Sequence, residues 1–134
     1  MEKYKVLDHK ADLIIRGYGR TKKELFTNLL RGMMESQEPD AGHREVKREI
    51  KAKSSDSAAL LVDFLNEALS LAQTHKEFYS EFEEDKLKET EIQGMLIGKA
   101  VKGWGKEIKA ATYHELKISQ KKGGKWEAQV IFDV

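Results

Sequence analysis

The chain has 134 residues, 40% of them hydrophobic, which suits one domain (residues 1–134) with one core and argues against a disordered chain. Its 24 basic and 23 acidic residues nearly cancel, so the net charge of +1 supplies no strong pull toward nucleic acid. The absence of cysteine excludes disulfides, thiolate metal sites and a cysteine nucleophile, and leaves oxygen and imidazole as the only metal donors.

No apolar run approaches the ~20 residues that span a bilayer. The segment MEKYKVLDHKAD is charged and has no signal-peptide apolar stretch, so a cytoplasmic protein with no membrane partner is expected. Tyr4 to Leu7 reads as a short strand. Leu13 to Tyr18, rich in β-branched and aromatic residues, reads as a second strand that Gly19 ends. Thr21 followed by Glu24 is a capping-box spacing, in which hydroxyl and carboxylate satisfy amides at a helix start. Leu25, Phe26, Leu29, Leu30, Met33 and Met34 then recur at helical spacing, which predicts a helix from Lys22 to Ser36.

Glu38 to Gly42 holds the only proline and reads as a loop. Val46 to Ala52 alternates apolar and charged residues, as a strand with one wet face does. Ser54 to Ser57 offers N-caps for a second helix, whose stripe runs from Leu60 through Phe64, Leu65 and Leu69 to about His75. Later strand candidates are Phe78 to Phe82, Glu91 to Ile97, Ile108 to Tyr113, Leu116 to Ser119 and Trp126 to Asp133. Lys122-Gly-Gly-Lys125 is a hairpin turn, because paired glycines accept positive φ. Two helices packed on an antiparallel or mixed β-sheet give an α+β domain.

The candidate chemistry lies at strand ends. Asp12 precedes the second strand and Asp133 ends the last one. If those strands are antiparallel neighbours, the two aspartates approach each other and the α-carboxylate of Val134 arrives beside them. Crowded carboxylates repel unless a cation or a raised pKa compensates, and hard oxygen donors favour Ca²⁺, Mg²⁺ or Mn²⁺ over zinc. The same residues read equally as turn formers and solvated surface charges. His9, beside Asp8, and His114, after Tyr113, are candidate ligands or packed histidines, whereas His43 falls in a loop and His75 suits a helix C-terminus. Lys99, Lys102, Lys106 and Lys109 form a basic run around Gly103, Trp104 and Gly105. It reads as an RNA or phosphate contact, a partner-docking loop, or a solvated loop with its tryptophan folded back. No Walker-type phosphate loop and no nucleophile elbow is present.

Four segments, in order, resemble the archease family. LDHKADLIIRGYG (Leu7 to Gly19) looks like its N-terminal His-Thr-Ala-Asp signature, and LLVDFLNEAL (Leu60 to Leu69) like its second helix. IKAATYHEL (Ile108 to Leu116) resembles the stretch before its final hairpin, and Val130 to Val134 its ending in Phe-Asp plus an aliphatic residue. Lys10 stands where the family has threonine, which adds a positive charge beside the site.

The resemblance implies an archease-like α+β fold and an accessory role with no catalysis of its own. Archeases help RtcB-type RNA ligases of tRNA splicing to become guanylylated and turn over repeatedly. The ligase does the chemistry with its own histidine, GTP and Mn²⁺, and tRNA is met through the ligase. The family's acidic metal site carries over onto Asp12 and Asp133, with Val134 as a third contributor and Ca²⁺ as the expected ion. The family's functional lysine carries over onto Lys109. The alternatives are an RNA-binding chaperone module, which predicts salt-dependent RNA binding, and a small metal-dependent hydrolase, which predicts turnover by the protein alone.

Overall fold

A computed structural model describes residues 2–7 and 12–134. The N-terminal residues form a hairpin, β1 (Tyr4–Leu7) with β2 (Leu13–Gly19), paired from Tyr4↔Gly17 to Leu7↔Ile14. Helix α1 spans Lys22–Ser36, as the spacing predicts. Thr21 sits in extended backbone and its hydroxyl accepts from the Glu24 amide at 3.1 Å, which satisfies one amide of the first turn. The predicted apolar face of α1 is fully buried.

Strand β3 runs Pro39–Lys53 and helix α2 Ser57–His75. Among the N-cap candidates Asp56 caps α2, its carboxylate accepting from the Ala59 amide at 2.8 Å. The helix stops at Lys76, whose φ of 55° is left-handed. Strands β4 (Glu77–Leu87) and β5 (Glu91–Trp104) form a long hairpin. Short β6 (Ala110–Ala111) and β7 (Ile118–Gln120) precede β8 (Trp126–Asp133). The turn into β8 uses Gly123 and Gly124 at φ of 92° and 91°, as paired glycines foretell.

The strands build two sheets, not one. The first has the order β1-β2-β8-β6, with β7 also on β8, and the second the order β3-β5-β4; every pair is antiparallel. Helix α1 packs against β1, β2 and β8 of the first sheet and β4 of the second, while α2 covers the second sheet and reaches β6. Both helices therefore seal one core between the sheets. Phe64 of α2 lies 5.7 Å from Phe26 of α1 and 5.2 Å, edge-on, from Phe82 of β4, so one ring ties three elements together.

Three segments depart from the expectation. Glu38 to Gly42 is no loop beyond its first residue, because β3 begins at Pro39 opposite Trp104 of β5. Proline is tolerated there as the first residue of a strand. The basic run is no loop up to Trp104, because β5 continues through Lys99, Val101 and Lys102, although its buried positions shift phase between Gly98 and Val101. Of Ile108 to Tyr113 only Ala110 and Ala111 pair as a strand. The rest is irregular chain tied by Thr112, whose amide and hydroxyl both donate to the Ile131 carbonyl.

Candidate functional site at the ends of β2, β8 and β6

The central strand β8 lies between β2 and β6. Its register against β2 runs from Gly19↔Trp126 to Leu13↔Phe132, so the next position sets Asp12 beside Asp133. Residues directly opposite in an antiparallel pair share a face, as do Arg16 and Gln129 of the same two strands, whose side chains hydrogen-bond at 2.8 Å. On the far side of β8, Ala110 pairs with Asp133, and the Lys109 amide donates to the Asp133 carbonyl at 2.8 Å. Asp12, Asp133 and Lys109 thus come from three adjacent chain segments at one end of the sheet.

The position of β6 is held from α2. Asn66 donates through Nδ2 to the Ala111 carbonyl at 3.0 Å and accepts from the Ala111 amide at 2.7 Å. This two-bond clamp reproduces what a neighbouring strand would supply, and it holds the segment that carries Lys109 against β8.

A cleft of about 540 Å³ opens at this end of the fold. Asp12, Leu13 and Val134 line it together with Glu35 and Ser36 at the end of α1 and with Glu38, Lys106 and Glu107. Asp133 is exposed and stands outside this lining. The acidic lining is larger than the sequence suggests: Glu35, Glu38 and Glu107 carry no motif, and only the packing of the α1 end against residues 106–108 gathers them. Two are already engaged. Glu35 accepts a hydrogen bond from the Tyr4 hydroxyl, and burial together with this carboxylate pushes the Tyr4 pKa up to about 12. Glu38 pairs with Lys106 at 3.6 Å.

Ca²⁺ takes six to eight oxygen ligands, and Asp12, Asp133 and Val134 offer donors of the right hard-oxygen kind. Among the described residues no group of three or more histidine, cysteine, aspartate or glutamate side chains stands close enough to enclose an ion.

The other candidate residues fall elsewhere. Asp8, His9 and Lys10 lie outside the described residues. His43 is exposed on β3, not in a loop, and His75 sits in the last turn of α2. His114 is exposed beside Glu115 at 3.9 Å. The adjacent Tyr113 donates to Asp63 of α2, and that carboxylate raises the tyrosine pKa. The basic run divides: Lys99 pairs across the sheet with Glu45, Lys109 flanks Asp133, and Lys102 and Lys106 face a second cleft with Trp104.

No helix among the described residues is long and apolar enough to cross a membrane. Residues 4–134 match the Archease protein family (MTH1598/TM1083). The chain is 33% identical to a protein archease of Methanosarcina barkeri, over 99% of this chain and 97% of that one. It is 29% identical to a protein archease of Pyrococcus abyssi over the whole of both chains. The solution structure of Methanobacterium thermoautotrophicum protein 1598 superposes with a TM-score of 0.72 at 26% identity, covering all of both chains. The crystal structure of an archease, possible chaperone, from Thermotoga maritima shares the fold, with a TM-score of 0.69 at 21% identity over 97% and 96% of the two chains. Whole-length matches in sequence and in fold agree with the four ordered motifs: the chain belongs to the archease family.

Proposed function

We propose that this protein activates an RtcB-type RNA ligase of tRNA splicing, using Asp12, Asp133 and Val134 to hold a divalent cation, Ca²⁺ before Mg²⁺ or Mn²⁺. The observation that carries the reading is the antiparallel register of β2 and β8, which sets Asp12 beside Asp133. Three oxygen donors leave positions in the six-to-eightfold shell of a Ca²⁺ ion for water and for the ligase. A divalent cation bound there supplies positive charge for phosphoryl or carboxylate oxygens. Lys109, hydrogen-bonded through its amide to Asp133, extends its ammonium group from the same end of the sheet toward a phosphate or the ligase surface. The role is that of an accessory protein in the cytoplasm, with tRNA met through the ligase.

Multiple-turnover ligation by an RtcB-type ligase, with and without this protein, tests the reading. Stimulation is expected, and Asp12→Ala or Asp133→Ala should lower it roughly 10-fold or more, the scale on which a metal site's supporting residues act. Full stimulation by both folded variants would overturn the site. Nucleotide turnover by the protein alone would overturn the accessory role.

A further inference from the structure

A second cleft, of about 680 Å³, lies on the other side of residues 106 and 107, which line both. Its volume falls in the range of small-molecule sites. Lys76 after α2, and Lys102 and Lys106 from the stretch that ends β5 and follows it, face it against Glu107 alone, in a protein whose overall charge is only +1. Lys106 is shared with Glu38, but no carboxylate among the described residues pairs with Lys76 or Lys102. Lys76 holds its place at a φ of 55°, in the left-handed region that non-glycine residues seldom adopt.

Trp104 packs one side on the core and lends the other to the cleft wall. Glycines flank it, and they differ. A Cβ at Gly105 would meet Glu38 Oε1 at 2.7 Å, whereas a Cβ at Gly103 would meet nothing within 4 Å. No packing demand explains Gly103, which lines the cleft through its backbone. The fourth observation is Gln37, 1% exposed, which lines the same cleft. Its Oε1 accepts from the Ile108 amide at 3.1 Å, but its Nε2 has no partner. A buried donor left unmatched is uncommon and calls for an acceptor.

The geometry points to a nucleoside-phosphate site, with Lys76 and Lys102 on the phosphate and Trp104 stacked on the base. Lysine charge and an aromatic face together are how single nucleotides and unpaired strands are held. The ligand's source is a free nucleotide or the end of an RNA strand. The assignment rests on this cleft alone and stands or falls apart from the acidic site.

The full chain, labelled with ¹⁵N, is titrated with AMP, with inorganic phosphate and with a 5′-phosphorylated oligoadenylate of four nucleotides. AMP and the oligonucleotide should shift the Trp104 indole N–H and the Gly103 amide to saturation, while phosphate should leave the indole unmoved. Lys102 is exposed, so Lys102→Glu should keep the native spectrum and weaken binding about 10-fold or more, with a reduced salt dependence. Oligonucleotide binding at least about 10-fold tighter than AMP identifies RNA as the source, and equal binding identifies the free nucleotide. No saturating shift at Trp104 up to ~10 mM of either ligand, or shifts undiminished in Lys102→Glu, would overturn the assignment.

Discussion

Among the described residues Glu77 is the one buried acidic side chain, 1% exposed at the start of β4. Arg48 of β3 grips it with two hydrogen bonds, at 3.1 and 2.7 Å, and the Tyr79 hydroxyl adds a third at 2.7 Å. Burial alone would raise its pKa, but the guanidinium and the phenol outweigh burial and hold the carboxyl below its usual 4.5. A carboxyl depressed in the folded state adds stability that is complete above its ordinary pKa and is lost as pH falls through the folded value. Urea unfolding should therefore show stability declining below about pH 4.5 in the wild type. Glu77→Gln should be less stable at pH 7 by roughly 3 kcal/mol, the low end for a broken buried pair because Arg48 keeps a third of its side chain in water, and its acid decline should be flatter. An unchanged acid slope would remove Glu77 as its cause. Nothing in the sequence marks this residue. Glu77 follows a helix end and precedes an aromatic, and its partner stands twenty-nine positions earlier. By contrast the placement of Asp12 and Asp133 at strand ends was legible, because strand alternation and the ends of two apolar runs locate them.

Local signals specify the elements well where one face is apolar and a cap or turn marks the end. Thr21 and the Leu25-to-Met34 stripe delimit α1, and Gly123 and Gly124 delimit β8. They fail where pairing overrides composition. The residues from Lys99 to Trp104 look like a loop because lysine and glycine are poor strand formers, yet β4 pairs with β5 as far as Ala100 and β3 as far as Trp104. Gly98 shows what that pairing demands. A Cβ there would stand 1.7 Å from the Phe78 carbonyl oxygen, at the irregular step between Tyr79 and Glu81 of β4. The backbones approach this closely only over glycine. Gly98→Ala should destabilise the protein by about 3 kcal/mol or more, and thermal melting should register it as a drop of ~10 °C or more. The same substitution at Gly103, where space is open, should leave the melting temperature within ~2 °C. Equal effects at the two glycines would refute the close approach.

At the scale of the whole molecule, helix number and α+β class follow from periodicity, but the division into two sheets does not. Alternation tells which face of a strand is wet; it does not tell which strand lies beside it. The acidic cleft belongs to the hidden part, because Glu35 and Glu107 meet only once α1 and the 106–108 segment have packed. The register of β2 against β8 also has a kinetic side. Arg16 and Gln129 are joined across 113 positions, and closing so long a loop costs conformational entropy that local contacts repay first. The β3-β5-β4 sheet and the helices, built from nearer neighbours, are able to form before that closure. In pulsed hydrogen exchange during refolding, β5 amides should gain protection before those of β2 and β8; simultaneous protection would show that the long loop closes in the same step. On that order neither Asp12 nor Asp133 has its neighbour until the last stage of folding, so a partly folded chain, however compact, lacks the acidic pair.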